Sequence, residues 1–301
     1  MKIVVSAWVF LLTLVLGVVL LGFSTRVESY HIPSFTLGAA AGWLNPGGDR
    51  SFDLKGTYTV NKFGFNADVD TTEESIWDAD DLPTAGAGPG RCFANMASAA
   101  ALYVSSDDAT DAAVEIVIEV LDANYVVSTV TMDLGAAAAT TGTVYTQIGT
   151  ATLLRVNRAY ATDTSFTGNI YIHTDTVDTG TDGVPDIPST QIVAVITAGE
   201  NQTLQACYTV PAGYTAMLLN WCKTNASQAA ASTAVTFRWR KTLTGMSSRT
   251  QSLISLGDEV TQCTEVLPPG YFPEKTDIEV TGGGATSQAA SADFGLLLLK
   301  N

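Results

Sequence analysis

Beyond residue 51 the chain alternates apolar and polar positions with a period of two. Val114, Ile116, Ile118 and Val120 share one parity, and Glu115, Val117 and Glu119 the other. Between 234 and 242, Val235, Phe237 and Trp239 point one way, while Thr236, Arg238 and Arg240 point the other. Residues 276–280 set Ile278 and Val280 against Asp277 and Glu279. Such alternation predicts half-buried strands with one face on a core and one in water. Further strands are predicted at 126–134, 143–148, 153–161, 168–173, 191–197, 202–210, 214–224, 249–256 and 294–300. Turn-forming residues separate them, among them Asp122-Ala123-Asn124, Gly135, Thr167-Gly168-Asn169, Ala198-Gly199-Glu200-Asn201 and Pro211-Ala212-Gly213.

The pattern predicts an all-β fold of sandwich or jelly-roll type. More strands are predicted than one small sandwich holds, so the body divides at the turn 198–201. The expectation is two tandem β-sandwich (jelly-roll-like) domains, 51–197 and 198–301. A different pattern precedes them. Ile3 to Phe23 runs 21 residues without a charge, which as a helix spans about 31 Å, the depth of a bilayer's hydrocarbon core. Residues 1–26 therefore read as a hydrophobic transmembrane-type helix, and 27–50, with Pro33, Pro46 and paired glycines, as a linker. The exit Gly22-Phe23-Ser24-Thr25-Arg26 shows no clear Ala-x-Ala cleavage site. An uncleaved anchor is the reading, with a cleaved signal or a helix packed inside an assembly as alternatives. Lys2 and Arg26 flank the segment evenly, and export of the larger C-terminal part is the simpler orientation.

Composition narrows the function classes. Charged residues are 15% of the chain and the formal net charge is −15. So acidic a surface is repelled by phosphate backbones, which disfavours nucleic acid as a partner. The 46% hydrophobic fraction argues against disorder. Cys92, Cys207, Cys222 and Cys263 stand in no metal-binding spacing. If residues 211–214 close a hairpin, Cys207 faces Leu218 and Cys222 lies out of disulfide reach of it. The remaining bridges and free thiols stay open.

Candidate chemistry is sparse, and no enzyme is expected. The two histidines are His31, in the linker, and His173, at a strand end. That leaves little material for a Ser-His-Asp or Cys-His arrangement. His173 beside Asp175 suits an acid–base pair or a plain strand-end contact. Gly282-Gly283-Gly284 reads as a turn, and no phosphate-loop, nucleophile-elbow or zinc-protease motif is present. Asp68, Asp70, Glu73, Glu74, Asp78, Asp80 and Asp81 form one acidic run, readable as a glycosidase pair or as a solvated loop. A second comprises Asp175, Asp178, Asp182 and Asp186. Its carboxylates on a Gly-bearing turn make it the candidate calcium loop, with a plain hairpin loop as the alternative. No other cofactor is implied. Asn201-Gln202-Thr203 and Asn225-Ala226-Ser227 are sequons that matter only where exported chains are glycosylated.

VNKFGFNADVDTTEESIWDADD, from Val60 to Asp81, resembles a segment common in uncharacterised structural proteins of marine tailed bacteriophages. There, Asn-Lys-Phe-Gly leads through Asp-Val-Asp to an acidic run and Ile-Trp-Asp. The downstream order is similar: ALYVSSDD, LDANY, LLRVNRAY, GNIYI, AGENQTLQACYTVPAGYTA and FPEKTDIEV. The resemblance is scattered over residues 55–301 and implies a virion capsid, decoration, spike or tail protein; it brings no catalytic residue. The N-terminal segment departs from that group and suits a membrane-containing icosahedral virus, an envelope protein or a pilin-like filament.

The leading expectation is a structural virion protein that self-assembles through sandwich surfaces, at a virion surface or anchored with its body outside. Its expected partners are itself, as a symmetric homo-oligomer taken as a trimer, other virion proteins, and a membrane through the N-terminal helix. An extracellular adhesive or receptor-binding module, or a pilin-like filament subunit whose helix packs in a core, is the alternative. An exported hydrolase with an acidic site is the third reading.

Overall fold

Sixteen strands and one 3-10 turn, Ala109–Ala113, make up the described part of the chain. The structure is a computed structural model. It describes residues 57–78, 90–93, 98–135, 145–162, 166–176, 182–186, 191–226, 234–257, 260–284 and 288–301. The predicted helix within 1–26 and the linker 27–50 lie outside those residues. Among the described residues no helix is long and apolar enough to cross a membrane.

The chain begins with β1 (Thr57–Val69) and β2 (Glu74–Ser75). Then come β3 (Tyr103–Ser106), β4 (Glu115–Asp122), β5 (Val127–Asp133), β6 (Thr146–Gln147), β7 (Leu153–Ala161), β8 (Ile170–His173) and β9 (Ile192–Ile196). It ends with β10 (Cys207–Thr209), β11 (Tyr214–Asn225), β12 (Val235–Thr242), β13 (Arg249–Leu256), β14 (Thr261–Phe272), β15 (Asp277–Gly282) and β16 (Gln288–Lys300). One sandwich pairs the sheet β1-β16-β11-β14 with the sheet β10-β15-β12-β13, and β2 also joins β15. The other pairs β6-β3-β8-β9 with β5-β4-β7.

The first sandwich has a recognisable winding. Ser75 and Glu74 pair with Thr281 and Gly282 on β15, and Cys207 to Thr209 continue the same row opposite Glu279 to Asp277. Between them, the Ile76 N–H donates to Val280 O at 2.9 Å and the Val280 N–H to Ala206 O at 3.0 Å. Thus β2 and β10 are the two halves of one strand. Counting them together, the sheets run 1-8-3-6 and 2-7-4-5, the order of an eight-stranded jelly roll. The second sandwich is inserted into the second strand. Its neck is antiparallel: Trp77 bridges Gln205, and the Ala206 N–H donates to Ile76 O.

This grouping differs from a tandem division into 51–197 and 198–301. The strand β1 pairs with β16 from Thr57↔Leu299 to Val69↔Gln288, and Val69 and Ile76 lie in the core of the C-terminal strands. That pairing spans nearly the whole body, so no local pattern reports it. The hairpin expected about 211–214 is likewise replaced: β10 pairs with β15 and β11 with β14 and β16, in opposite sheets. Cys207 and Cys222 therefore belong to separate bridges, Cys92–Cys207 and Cys222–Cys263.

The two cores differ in kind. The jelly roll buries Trp221, Phe237, Trp239, Phe272 and Phe294, with Trp239 packed against Phe294 at 5.0 Å between ring centroids. The insert is filled by Leu102, Val104, Ile116, Ile118, Val120, Ile170, Ile172 and Ile196. The alternations at 114–120 and 235–240 put their apolar parity inward as expected. The strand β15 does not leave its polar parity in water. Asp277 and Glu279 are buried beside Ile278 and Val280, because the insert and its neck cover that face.

Candidate functional site

The buried polar residues gather at the seam between jelly roll and insert. Gly64 lets β1 approach the neck: a Cβ there would collide with Ile76 O and Ala206 N. Lys62 and Asn66, on the same parity, are buried with it. From the insert, β7 supplies Arg155 and Asn157. The register of β7 on β4 slips between Glu119↔Arg158 and Val120↔Val156, which leaves Asn157 as the extra residue of a bulge. A bulged residue is released from ladder pairing and re-aims its polar groups. Here they point into the seam.

Each seam group has named partners. Arg155 forks onto Asp277 through Nε to Oδ1 at 3.1 Å and Nη2 to Oδ2 at 2.8 Å, and Thr209 Oγ1 also donates to Asp277 Oδ1. Both ends of this pair are buried, so neither can lose its partner cheaply. Gln205 Nε2 donates to the main-chain carbonyls of Val156 and Asn157. Asn157 Nδ2 donates to Glu119 Oε1 at 3.2 Å and to Thr209 O at 3.0 Å, while its Oδ1 accepts the Thr209 N–H at 2.9 Å. Lys62 Nζ donates to Asn157 O at 2.5 Å. Burial lowers the Lys62 amine to about 7, against the opposing pull of Glu119.

Beside the neck, Glu73 takes ion pairs from Arg91, Arg238 and Arg240. Burial works to raise its carboxyl, but hydrogen bonds from Arg240 and Thr281 outweigh it and hold Glu73 below its ordinary value. Arg91 also pairs with Glu279, which accepts from Ser75 Oγ. Adjacent Cys92 carries the disulfide to Cys207, so this region is tied by charge and covalently. A cleft of about 570 Å³ opens over it, lined by Arg91, Phe93, Arg155, Lys275, Asp277 and Glu279 among others.

The first acidic run is thus dispersed. Glu73 serves the ion-pair hub, Glu74 Oε1 accepts the Asp70 N–H at 2.7 Å, and the Asp68 N–H donates to Asn66 Oδ1. Asp78 is half-buried as a residue, yet its Oδ1 is out of solvent. Burial pushes that carboxyl up to about 8, in spite of donors at Leu204 N and Thr197 Oγ1. Asp80 and Asp81 lie outside the described residues.

In the second run, the Asp186 N–H donates to Asp175 Oδ2 at 3.0 Å and the Thr176 N–H to Asp175 Oδ1 at 2.7 Å. The Val184 N–H donates to Asp182 Oδ1 at 3.1 Å. These contacts bring Asp175 and Asp186 together and turn the loop on itself; Asp178 lies outside the described residues. Among the described residues no three metal-ligating side chains gather. His173 accepts at Nδ1 from the Asp175 main-chain N–H, not from its carboxylate, and its Nε2 meets Ser105 Oγ at 3.1 Å. Burial lowers it to about 3, so it stays neutral.

Sequence reasoning missed the seam. Its signal was present as polar residues on the buried parity or among apolar neighbours: Lys62 and Asn66 in NKFGFNADV, Arg155 and Asn157 in LLRVNRAYA.

No protein-family model matches the chain, and no curated protein matches it. Among solved structures, a chain of the "Structure of infectious bursal disease virus Gx strain" is similar at 12% identity and a TM-score of 0.21, covering 80% of this chain and 71% of that one. A likeness at that level carries no argument about function.

Proposed function

We propose that this chain is a structural virion protein, a capsid, decoration or spike component, that assembles with copies of itself. The observation that carries the reading is the jelly roll whose second strand is opened to hold a separate sandwich. In that arrangement the jelly roll forms the assembling base, and the insert is a module presented from it. Fold alone does not assign function, so further support comes from the surface and the crosslinks. The strands β13 and β14 end their sheets, and Leu253 and Tyr271 on them are 58% and 41% exposed. Unpaired edges with apolar side chains are where subunits add to a sheet. Two disulfides suit a chain that matures in an oxidising setting. The apolar segment Ile3 to Phe23 would tie the copies to a membrane or an assembly core, and the scattered resemblance to phage structural proteins fits the same role.

The test is to produce the 301-residue chain, measure its molar mass in solution by light scattering, and image the product by electron microscopy. A symmetric homo-oligomer, expected as a trimer, or a closed particle supports the reading. A monomer at every concentration overturns it, and the receptor-binding module then takes its place.

A further inference from the structure

The bulge of β7 assembles the parts of a reaction. Lys62 Nζ sits 2.5 Å from the main-chain oxygen of Asn157, beside that residue's carboxamide. The carboxamide is held on both sides: Nδ2 by Glu119 Oε1 and Thr209 O, and Oδ1 by the Thr209 N–H. Lys62 is 5% and Asn157 1% exposed. A buried ammonium with so few acceptors is a costly group to retain. We propose that Lys62 and Asn157 join in an intramolecular isopeptide bond, formed by the folded chain itself, with Glu119 carrying the proton.

The chemistry balances without an oxidant or other co-reactant. The lowered Lys62 supplies a neutral amine at neutral pH. Its lone pair attacks Asn157 Cγ once rotation of the lysine side chain brings the two to ~3–3.5 Å. A C–N bond forms and the carbonyl electrons move to Oδ1, where the Thr209 N–H, 2.9 Å away, steadies the negative charge. The Glu119 carboxylate takes the surplus proton from Nζ and delivers it to Nδ2, which it already contacts. The Cγ–Nδ2 bond breaks, the carbonyl re-forms and ammonia leaves. A primary amine and a carboxamide have become a secondary amide and ammonia. The other charged groups that bear on Lys62 are Arg158, which lowers it further, and Asp78, which opposes that. The product would link β1 of the jelly roll to β7 of the insert, across 95 residues of sequence.

The experiment is mass spectrometry of the folded 301-residue chain after reduction, first intact and then as a digest. The expected mass is below that of the sequence by one ammonia, with a branched peptide joining Lys62 to Asn157. The Glu119→Gln variant should unfold cooperatively yet keep its full mass, and Lys62→Arg should do the same. Full mass in the folded wild-type chain overturns the proposal. So does an ammonia loss that maps to a cyclised asparagine with no branched peptide. Full crosslinking in Glu119→Gln would overturn the role given to Glu119.

Discussion

The jelly roll and its insert are both β-sandwiches, but they are stabilised differently. The jelly roll has long partners, with β1, β11, β14 and β16 each of 12 or 13 residues, over an aromatic core. The insert has strands of 2 to 9 residues over an aliphatic core in which Phe166 is the exception among the described residues. Between them lie a seam of charge pairs and hydrogen bonds and, at the neck, a small apolar cluster of Trp77, Tyr171, Ile192 and Val195 around the Cys92–Cys207 bridge. Apolar burial is non-directional, whereas a buried polar group needs its own partner in place. The seam therefore sets how the insert is carried, while the two cores supply most of the stability of each part.

The largest effect expected comes from dividing the chain. Residues 198–301 alone lack β1, the edge partner of β16, and should show no cooperative unfolding. A chain joining 57–78 to 204–301 through a two-residue Asn-Gly turn at the neck should regain a single transition by calorimetry. If 198–301 folds alone, the two-part strand is not what organises the jelly roll.

Next come single substitutions that separate core from seam. Trp239→Ala removes the ring that meets Trp221, Phe272 and Phe294 and should cost about 3–5 kcal/mol. Arg155→Ala leaves Asp277 buried without its fork and should cost about 3–5 kcal/mol, with the two sandwiches then melting at different temperatures. Ile118→Val, inside the insert, should cost only about 0.5–1.5 kcal/mol. Urea titrations read by tryptophan fluorescence and by circular dichroism would check all three. Coincident curves for Arg155→Ala would show that the seam does not couple the parts.

Smaller, and opposite in sign, are two pH effects. Asp78 is raised to about 8 in the folded chain. Its contribution is fully present below its unfolded value near 4 and is lost as pH rises through 8. His173 is lowered to about 3, so its contribution is present above about 6.5 and is lost as pH falls through 3. Melting temperatures of Asp78→Asn measured from pH 5 to 9 should fall less steeply with pH than those of the parent chain. An unchanged slope would mean that Asp78 is ionised in the fold. The smallest effect expected is that of calcium on Asp175, Asp178, Asp182 and Asp186. Chelator should shift melting slightly or not at all, and unfolding in chelator would make that loop a structural metal site.

What the sequence made legible were the strands whose surroundings are local. Val114 to Val120 and Val235 to Arg240 alternate because one face meets a core and the other meets water or a thin polar layer. The strand β15 alternates in the same way, yet its polar parity is buried, since Arg155 and Arg91 come to it from residues more than a hundred positions away. Nothing within Asp277 to Val280 distinguishes a carboxylate facing water from one facing an arginine across a seam. The opened second strand was hidden for a related reason: its halves, β2 and β10, are two and three residues long, too short to show a period, and Trp77 and its bridge partner Gln205 are far apart only in the chain, not in space. The seam residues were hidden because Lys62 and Asn157 are commonplace residue types that become unusual only once they face each other.

The direct test of the virion reading is the state of the full chain in solution and under the microscope. Light scattering and electron microscopy of the 301-residue protein should find a symmetric homo-oligomer or closed particle, and Leu253→Asp with Tyr271→Asp should shift it toward monomer. A parent chain that remains monomeric at every concentration, with no particle on the grid, would contradict the assignment.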